Sequence, residues 1–144
     1  MGGITPLPHI RAAVSSDAAA LAVLARATFC DTFAHLYAAE DLDAYLAGPL
    51  SDETTAEMIA DPDKLVRVAE GADGSLIGFC VLNLSLTLDY DPAPRRALEL
   101  SKLYLTNDAK GTGLADTFMA WVDAEGAARR ADEIALSAYR DNVR

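Results

Sequence analysis

Apolar positions recur along this chain in two rhythms, and the switches between them mark out its elements. Residues 10–14 form a short strand, closed by Ser15-Ser16-Asp17, any of which can cap the next helix. Leu21, Leu24, Ala25 and Phe29 then fall at helical spacing over residues 18–29. Two short helices follow over 39–47 and 52–60, split by Gly48-Pro49. Residues 64–70 alternate as a strand, and Gly71-Ala72-Asp73-Gly74-Ser75 makes a hairpin turn. Residues 76–84 return nearly all apolar, which predicts a central strand. Residues 85–96, with Asp91-Pro92-Ala93-Pro94, read as an exposed connection, and residues 1–8 as a loose arm. A strand rich in Leu and Tyr covers 98–105, and a helix opens after Gly113. Residues 127–132 are a polar join. Residues 134–139 are a last strand, parallel to 98–105 if the helix between them crosses over right-handed. The order predicts one α/β domain over 1–144, an antiparallel meander running into a parallel pair.

The junction after residue 105 carries the chemistry. Thr106, Asn107 and Asp108 break the strand, Lys110-Gly111-Thr112-Gly113 makes the turn, and apolar residues at 114, 115, 118, 119, 121 and 122 give the helix its stripe. A strand, glycine-rich turn and helix in that order aim unpaired N–H groups and the positive helix end at one point, which favours an anion such as phosphate. Two familiar phosphate loops are excluded. No glycine precedes Gly111 at the spacing a G-x-x-x-x-G-K-[ST] loop needs, and Asp116 stands where the dinucleotide fingerprint needs a small residue. By itself the turn reads equally as a phosphate cradle or a steric strand ending.

The stretch resembles the cofactor segment of the GNAT superfamily of N-acetyltransferases, Gln/Arg-x-x-Gly-x-Gly/Ala after a strand. Residues 108–113, Asp-Ala-Lys-Gly-Thr-Gly, fill it except that Asp108 replaces the first residue and removes one cationic contact. The resemblance runs from residue 10 to 144 and implies a mixed, mostly antiparallel central sheet with helices on both faces, truncated after the fifth strand. It implies acetyl-coenzyme A as cosubstrate and no metal. Pyrophosphate contacts would come from Lys110, Gly111, Thr112, Gly113, Leu114 and Ala115, and pantetheine contacts from main-chain groups near Leu103 and Leu105. Asn142, with Arg144, matches the family's Asn-x-Arg after the fifth strand and joins the cofactor set. The family's further helix, whose tyrosine protonates the departing thiolate, is not in this sequence. Either the chain is a truncated product or another chain completes the fold, a homodimer being one such arrangement. Thr28-Phe29-x-Asp31-Thr32-Phe33, Glu40-Asp41-Leu42, Tyr45-Leu46 and Glu99-Leu100-x-x-Leu103-Tyr104 look closest to the polyamine (spermidine/spermine) acetyltransferase branch.

Charge changes the picture at one place. The net charge of −10 and pI near 4.4 argue against nucleic acid or an anionic membrane as partner. Nine carboxylates and no Lys or Arg lie between residues 31 and 63. They read either as a solvated, solubilising surface or as a wall that draws in a cationic small-molecule amine. Cys30 and Cys80 stand in no metal or redox spacing and read as reduced core thiols of a cytoplasmic protein. The longest uncharged run, 75–88, is too short and too polar to span a bilayer, and residues 1–8 make no signal peptide.

Moving an acetyl group from a thioester to an amine needs a neutral amine, a polarised carbonyl and a stabilised thiolate. Glu99, at the start of the cofactor strand, is the candidate base; the competing reading makes it solvent-facing or paired with Lys102. Main-chain N–H beside Leu103 would polarise the carbonyl. Tyr139 falls near the thiol or in the core, and Phe118 and Trp121 on the helix stripe are core. Arg129 and Arg130 lie at a helix C-terminus, where cations need no ligand to explain them. His9 and His35 have no companions at metal spacing, so the metal set is empty. The function implied is N-acetylation in a ternary complex. The alternatives are a catalytically impaired cofactor-binding or subunit-interaction module and a protein N-acetyltransferase.

Overall fold

A computed structural model describes residues 9–84, 97–131 and 133–136. Among the described residues five strands form one sheet in the order β1-β2-β3-β4-β5: β1 is His9–Ala12, β2 Lys64–Glu70, β3 Leu76–Asn83, β4 Ala97–Leu105 and β5 Glu133–Leu136. All neighbours are antiparallel except β4 and β5, which run parallel from Ala97↔Glu133 to Leu100↔Leu136. Helices α1 (Ala18–Phe33), α2 (Ala39–Ala47) and α3 (Asp52–Ala60) lie between β1 and β2 in the chain, and α4 (Leu114–Ala128) joins β4 to β5. The mixed, mostly antiparallel sheet with helices on both faces is the architecture that the resemblance implied.

Alternation along β3 explains why it is central. Phe79 and Val81 turn to a core with Leu21, Phe29 and Phe33 of α1, while Cys80 and Leu82 turn to a second core with Leu114, Phe118 and Val122 of α4. Both faces of the strand are therefore buried, and an apolar run is what such a strand requires.

The boundaries of α2, α3 and β2 fall where the sequence puts them. Ser51 caps α3, its hydroxyl accepting the Thr54 N–H at 3.1 Å. Other elements differ. β1 stops at Ala12, because the Asp17 carboxylate takes the Val14 N–H at 2.8 Å and turns the chain into a 3-10 turn over Ser15–Asp17. α1 runs four residues past the expected end at 29. Phe33 continues the buried stripe against Phe29, ring centroids 5.0 Å apart. By length and composition the helical stretch Ser15–Leu36 would suffice to cross a membrane, but in this fold Leu21, Leu24, Phe29 and Phe33 pack into the core.

One irregularity sets the site. Val81 faces Lys102 while Leu82 faces Leu100, so Ser101 is an extra residue in β4, a β-bulge. The bulge moves the strand's phase by one. Leu98 and Leu100 face α4 before it, and Leu103 and Leu105 face α4 after it. Tyr104 is thereby turned to the α1 side.

Candidate active site

The turn after β4 begins as a 3-10 turn over Asn107–Ala109 and reaches α4 through Gly111 at φ 83° and Gly113 at φ 88°, left-handed values that favour glycine. It bonds partly to itself. The amides of Ala109, Lys110 and Thr112 donate to Thr106, Asn107 and Ala109 carbonyls at 3.0, 3.3 and 3.3 Å. The Thr112 hydroxyl also donates to the Ala109 carbonyl. The Lys110 and Thr112 amides, both in the expected cradle, are thus occupied within the turn. The first bond of α4 is Thr117 N–H to Gly113 O at 3.1 Å. Among the described residues no main-chain acceptor faces the N–H of Gly111, Gly113, Leu114 or Ala115. Gly111, Thr112, Gly113 and Ala115 are exposed, as is the Lys110 side chain, so the cradle opens to solvent; Asp108 and Asp116 flank it. The Leu114 side chain is buried and clamps the turn to the sheet.

Leu103 and Leu105 lie on the strand that leads into this turn. Thr106 N–H donates to Ile77 O at 2.9 Å. In an antiparallel ladder bonded pairs alternate, so Tyr104 and Lys102 also point their N–H groups at β3. The N–H groups of Leu103 and Leu105 then point to the opposite edge. Among the described residues β5 pairs with β4 only as far as Leu100.

Glu99 is neither solvent-facing nor paired with Lys102. It is 1% exposed, and its Oε2 accepts the Asn83 Nδ2–H at 3.2 Å. Asn83 Oδ1 in turn accepts from Lys64 Nζ at 2.8 Å. These residues are register partners across β2, β3 and β4, so the sheet itself lines them up.

On the α1 side of the sheet lies a cavity of about 230 Å³. Phe29 and Phe33 of α1 and Tyr45 of α2 form one wall, with Phe29 stacked on Tyr45 at 4.6 Å. Phe79 and Tyr104 form the sheet wall, stacked at 5.5 Å, and half-exposed Tyr37 stands at the rim. Lys102 also lines it. Burial, and then the charge of Lys64, hold the Lys102 ammonium below its ordinary pKa. Burial likewise pushes the hydroxyls of Tyr45 and Tyr104 up. Glu99 does not line the cavity, and neither does any of the nine carboxylates between 31 and 63, eight of which are exposed.

Sequence reasoning missed this cavity. A signal was present, since Phe29, Phe33, Tyr37 and Tyr45 recur at multiples of four, the spacing of one helical face. Phe118 is core as expected. Trp121 is half-buried, with the Arg67 guanidinium 4.8 Å from its ring centre. Arg129 pairs with Glu125 at 3.2 Å, and Arg130 takes φ 56° in the turn that ends α4. Cys80 is a core thiol, while Cys30 is half-buried on α1. Asn142, Arg144 and Tyr139 lie outside the described residues, as do residues 1–8 and 85–96. Among the described residues no three His, Cys, Asp or Glu side chains gather as a metal site.

Solved structures share this architecture. The PaiA N-acetyltransferase of Thermoplasma acidophilum, crystallised with coenzyme A, matches 95% of this chain and 82% of its own with a TM-score of 0.78 at 23% identity. A ribosomal-protein-alanine N-acetyltransferase from Brucella melitensis biovar Abortus 2308 matches 94% and 82%, with a TM-score of 0.68 at 20% identity. An aminoglycoside acetyltransferase from an uncultured soil metagenomic sample matches 93% and 81%, with a TM-score of 0.66 at 17% identity. No protein-family model matches the sequence, and no curated protein sequence matches it. At these identities the likeness is one of fold: the chain is built as GNAT-type N-acetyltransferases are.

Proposed function

We propose that this protein is an acetyl-coenzyme A-dependent N-acetyltransferase acting on a small primary amine by direct transfer. One observation carries the reading. The open amides of Gly111, Gly113, Leu114 and Ala115 and the outward N–H groups of Leu103 and Leu105 follow one another along the edge of β4 and the start of α4. A diphosphate joined to an extended amide arm asks for donors in that order. Lys110 adds a flexible cation beside the diphosphate. In the reaction the ammonium first gives up one proton; the neutral nitrogen then attacks the thioester carbonyl, the C–N bond forms, the C–S bond breaks, and the second proton leaving the nitrogen balances the one the thiolate takes up. Glu99 is the carboxylate that β4 carries; it is 1% exposed and outside the cavity, so we assign the amine's proton to a water that Glu99 holds, with Asn83 fixing the carboxylate in place.

Amide hydrogen exchange with and without coenzyme A tests the cosubstrate half. Leu103, Leu105, Gly111, Gly113, Leu114 and Ala115 gain protection on binding while Tyr104, already bonded to β3, changes little. Protection confined to other residues sinks the assignment. For the proton, Glu99→Gln is expected to lower kcat by about 10²–10⁴-fold with KM for coenzyme A nearly unchanged. An unaltered kcat removes Glu99 from the role. A polyamine acceptor is the second reading, favoured by the exposed carboxylates of α2 and α3, which attract cations at long range.

A further inference from the structure

Lys102 is an odd residue to find half-buried beside an aromatic cavity. Among the described residues it has no ion-pair partner and no hydrogen-bond acceptor, and the charge that acts on it is another cation, Lys64. A half-buried ammonium without a counter-ion loses part of its solvation, and a ligand that supplies the opposite charge would offset that loss. The rest of the wall offers a ligand rings and a few hydroxyls, from Tyr45, Tyr104 and Thr55. At about 230 Å³ the space is below the ~300–1,000 Å³ of common ligand pockets, enough for one ring and a short chain.

We infer that the cavity is the acceptor site and that its substrate is an amine with an apolar, ring-sized body and a carboxylate, the carboxylate pairing with Lys102. The inference rests on the acetyltransferase reading for the word acceptor, but the ligand chemistry comes from the cavity alone. Three features agree. The stacked pairs Phe29–Tyr45 and Phe79–Tyr104 present flat apolar surface from both walls. Their faces would also suit a bare cation, but Lys102 on the same wall repels one, and among the described residues no carboxylate lines the cavity to offset it. That same positive charge favours the uncharged form of a nearby amine, the form that attacks a thioester. The Ser101 bulge is what turns β4 so that Lys102 and Tyr104 meet this cavity while Leu103 and Leu105 stay with α4.

The test separates the cavity from the cosubstrate turn. 3-Phenylpropanoate, which has the ring and the carboxylate but no amine to acetylate, is titrated into the wild-type protein and Lys102→Met, with coenzyme A titrated in parallel. Binding of 3-phenylpropanoate is expected to weaken about tenfold or more in Lys102→Met and to be largely kept in Lys102→Arg, with coenzyme A affinity unchanged in both. In the wild-type protein alone, phenethylamine and spermidine are expected to bind at least about tenfold more weakly than 3-phenylpropanoate. Equal binding of 3-phenylpropanoate to the wild-type protein and a folded Lys102→Met variant overturns the inference. So does tighter binding of spermidine, which instead favours the acidic-wall reading. Lys102-dependent binding of 3-phenylpropanoate with no binding of coenzyme A leaves the cavity assignment standing and removes acetyl transfer.

Discussion

Arg11 shows how single side chains hold the frame around these sites. Its guanidinium spans two carboxylates: the Nη atoms reach Asp17 at 2.8 and 2.9 Å, and Nε reaches Glu70 at 3.0 Å. Asp17 also takes the Val14 N–H, so the Arg11 guanidinium and its two carboxylates tie β1, β2 and the start of α1 together. The Arg11 hydrogen bonds hold the Asp17 carboxyl below the usual carboxylate range, and partial burial offsets only some of that. The sign follows from the direction. A carboxyl whose folded pKa is depressed adds stability above its unfolded value of ~3.9, and the gain is lost as pH falls through the folded value. Asp17→Asn is therefore expected to cost about 1–3 kcal/mol at pH 7, with the difference from wild type shrinking below pH ~3.9. Urea unfolding at pH 7 and near pH 3 measures both; an equal cost at both pH values shows that the charge is not what matters. Asn83 is the other such residue. It is buried and bridges Lys64 to Glu99, so Asn83→Leu strips a hydrogen bond from each. The expected loss is about 1–3 kcal/mol, read from the denaturation midpoint, and a loss near zero shows that Glu99 gains nothing from that bond.

Between elements, the corner where β3, β4 and α4 meet decides whether the glycine turn into α4 keeps its shape. A Cβ on Gly78 of β3 would stand 2.7 Å from Leu105 Cδ2 and 3.3 Å from Leu114 Cδ2, with the Tyr104 carbonyl at 3.2 Å. Those two leucines pin the end of β4 and the start of α4, so Gly78→Ala pushes on both anchors of the turn. It is expected to cost about 1–3 kcal/mol of stability and to weaken coenzyme A binding. Gly113→Ala differs in kind. Nothing lies within 4 Å of an added Cβ, and the cost, about 1–2 kcal/mol, comes from the left-handed backbone. Thermal unfolding and calorimetric titration on the two variants tell crowding from backbone strain, and a Gly78→Ala protein with wild-type affinity would detach the corner from the turn. Much of this was legible in the sequence. Gly48-Pro49 and the Ser51 cap punctuate the chain locally, which is why α2 and α3 match residue for residue. The bulge left a trace as well, since leucines at 98 and 100 resume at 103 and 105, a step of three inside a rhythm of two. The end of α1 was not legible, because no Gly or Pro stops it and Phe33 is kept helical by packing against Phe29. Nor was the cavity, whose walls come from α1, α2, β3 and β4 and exist only once the sheet has assembled.

At the scale of the molecule, the described residues make two cores separated by a sheet, with the open turn on the α4 side and the aromatic cavity on the α1 side. If the turn holds the acetyl donor and the cavity the acceptor, as proposed, the two meet only at the edge of β4, and both are expected to be bound before the acetyl group moves. The competing route stores the acetyl group on the protein, and it needs a nucleophile. The thiols are the strongest candidates. Cys80 is fully buried in the α4-side core, and burial pushes its thiol up to about 12, so almost none of it is thiolate near neutral pH. Cys30 sits half-buried on α1 and does not line the cavity. Initial rates measured while both substrates are varied should therefore give intersecting reciprocal plots, and Cys30→Ala should leave kcat within about twofold. Parallel plots, or an acetylated cysteine in the mass spectrum of protein incubated with acetyl-coenzyme A alone, would mean that the sheet does not keep the two half-reactions together. In that case the opposition of turn and cavity across β4 would have to be read as two separate binding functions rather than one reaction.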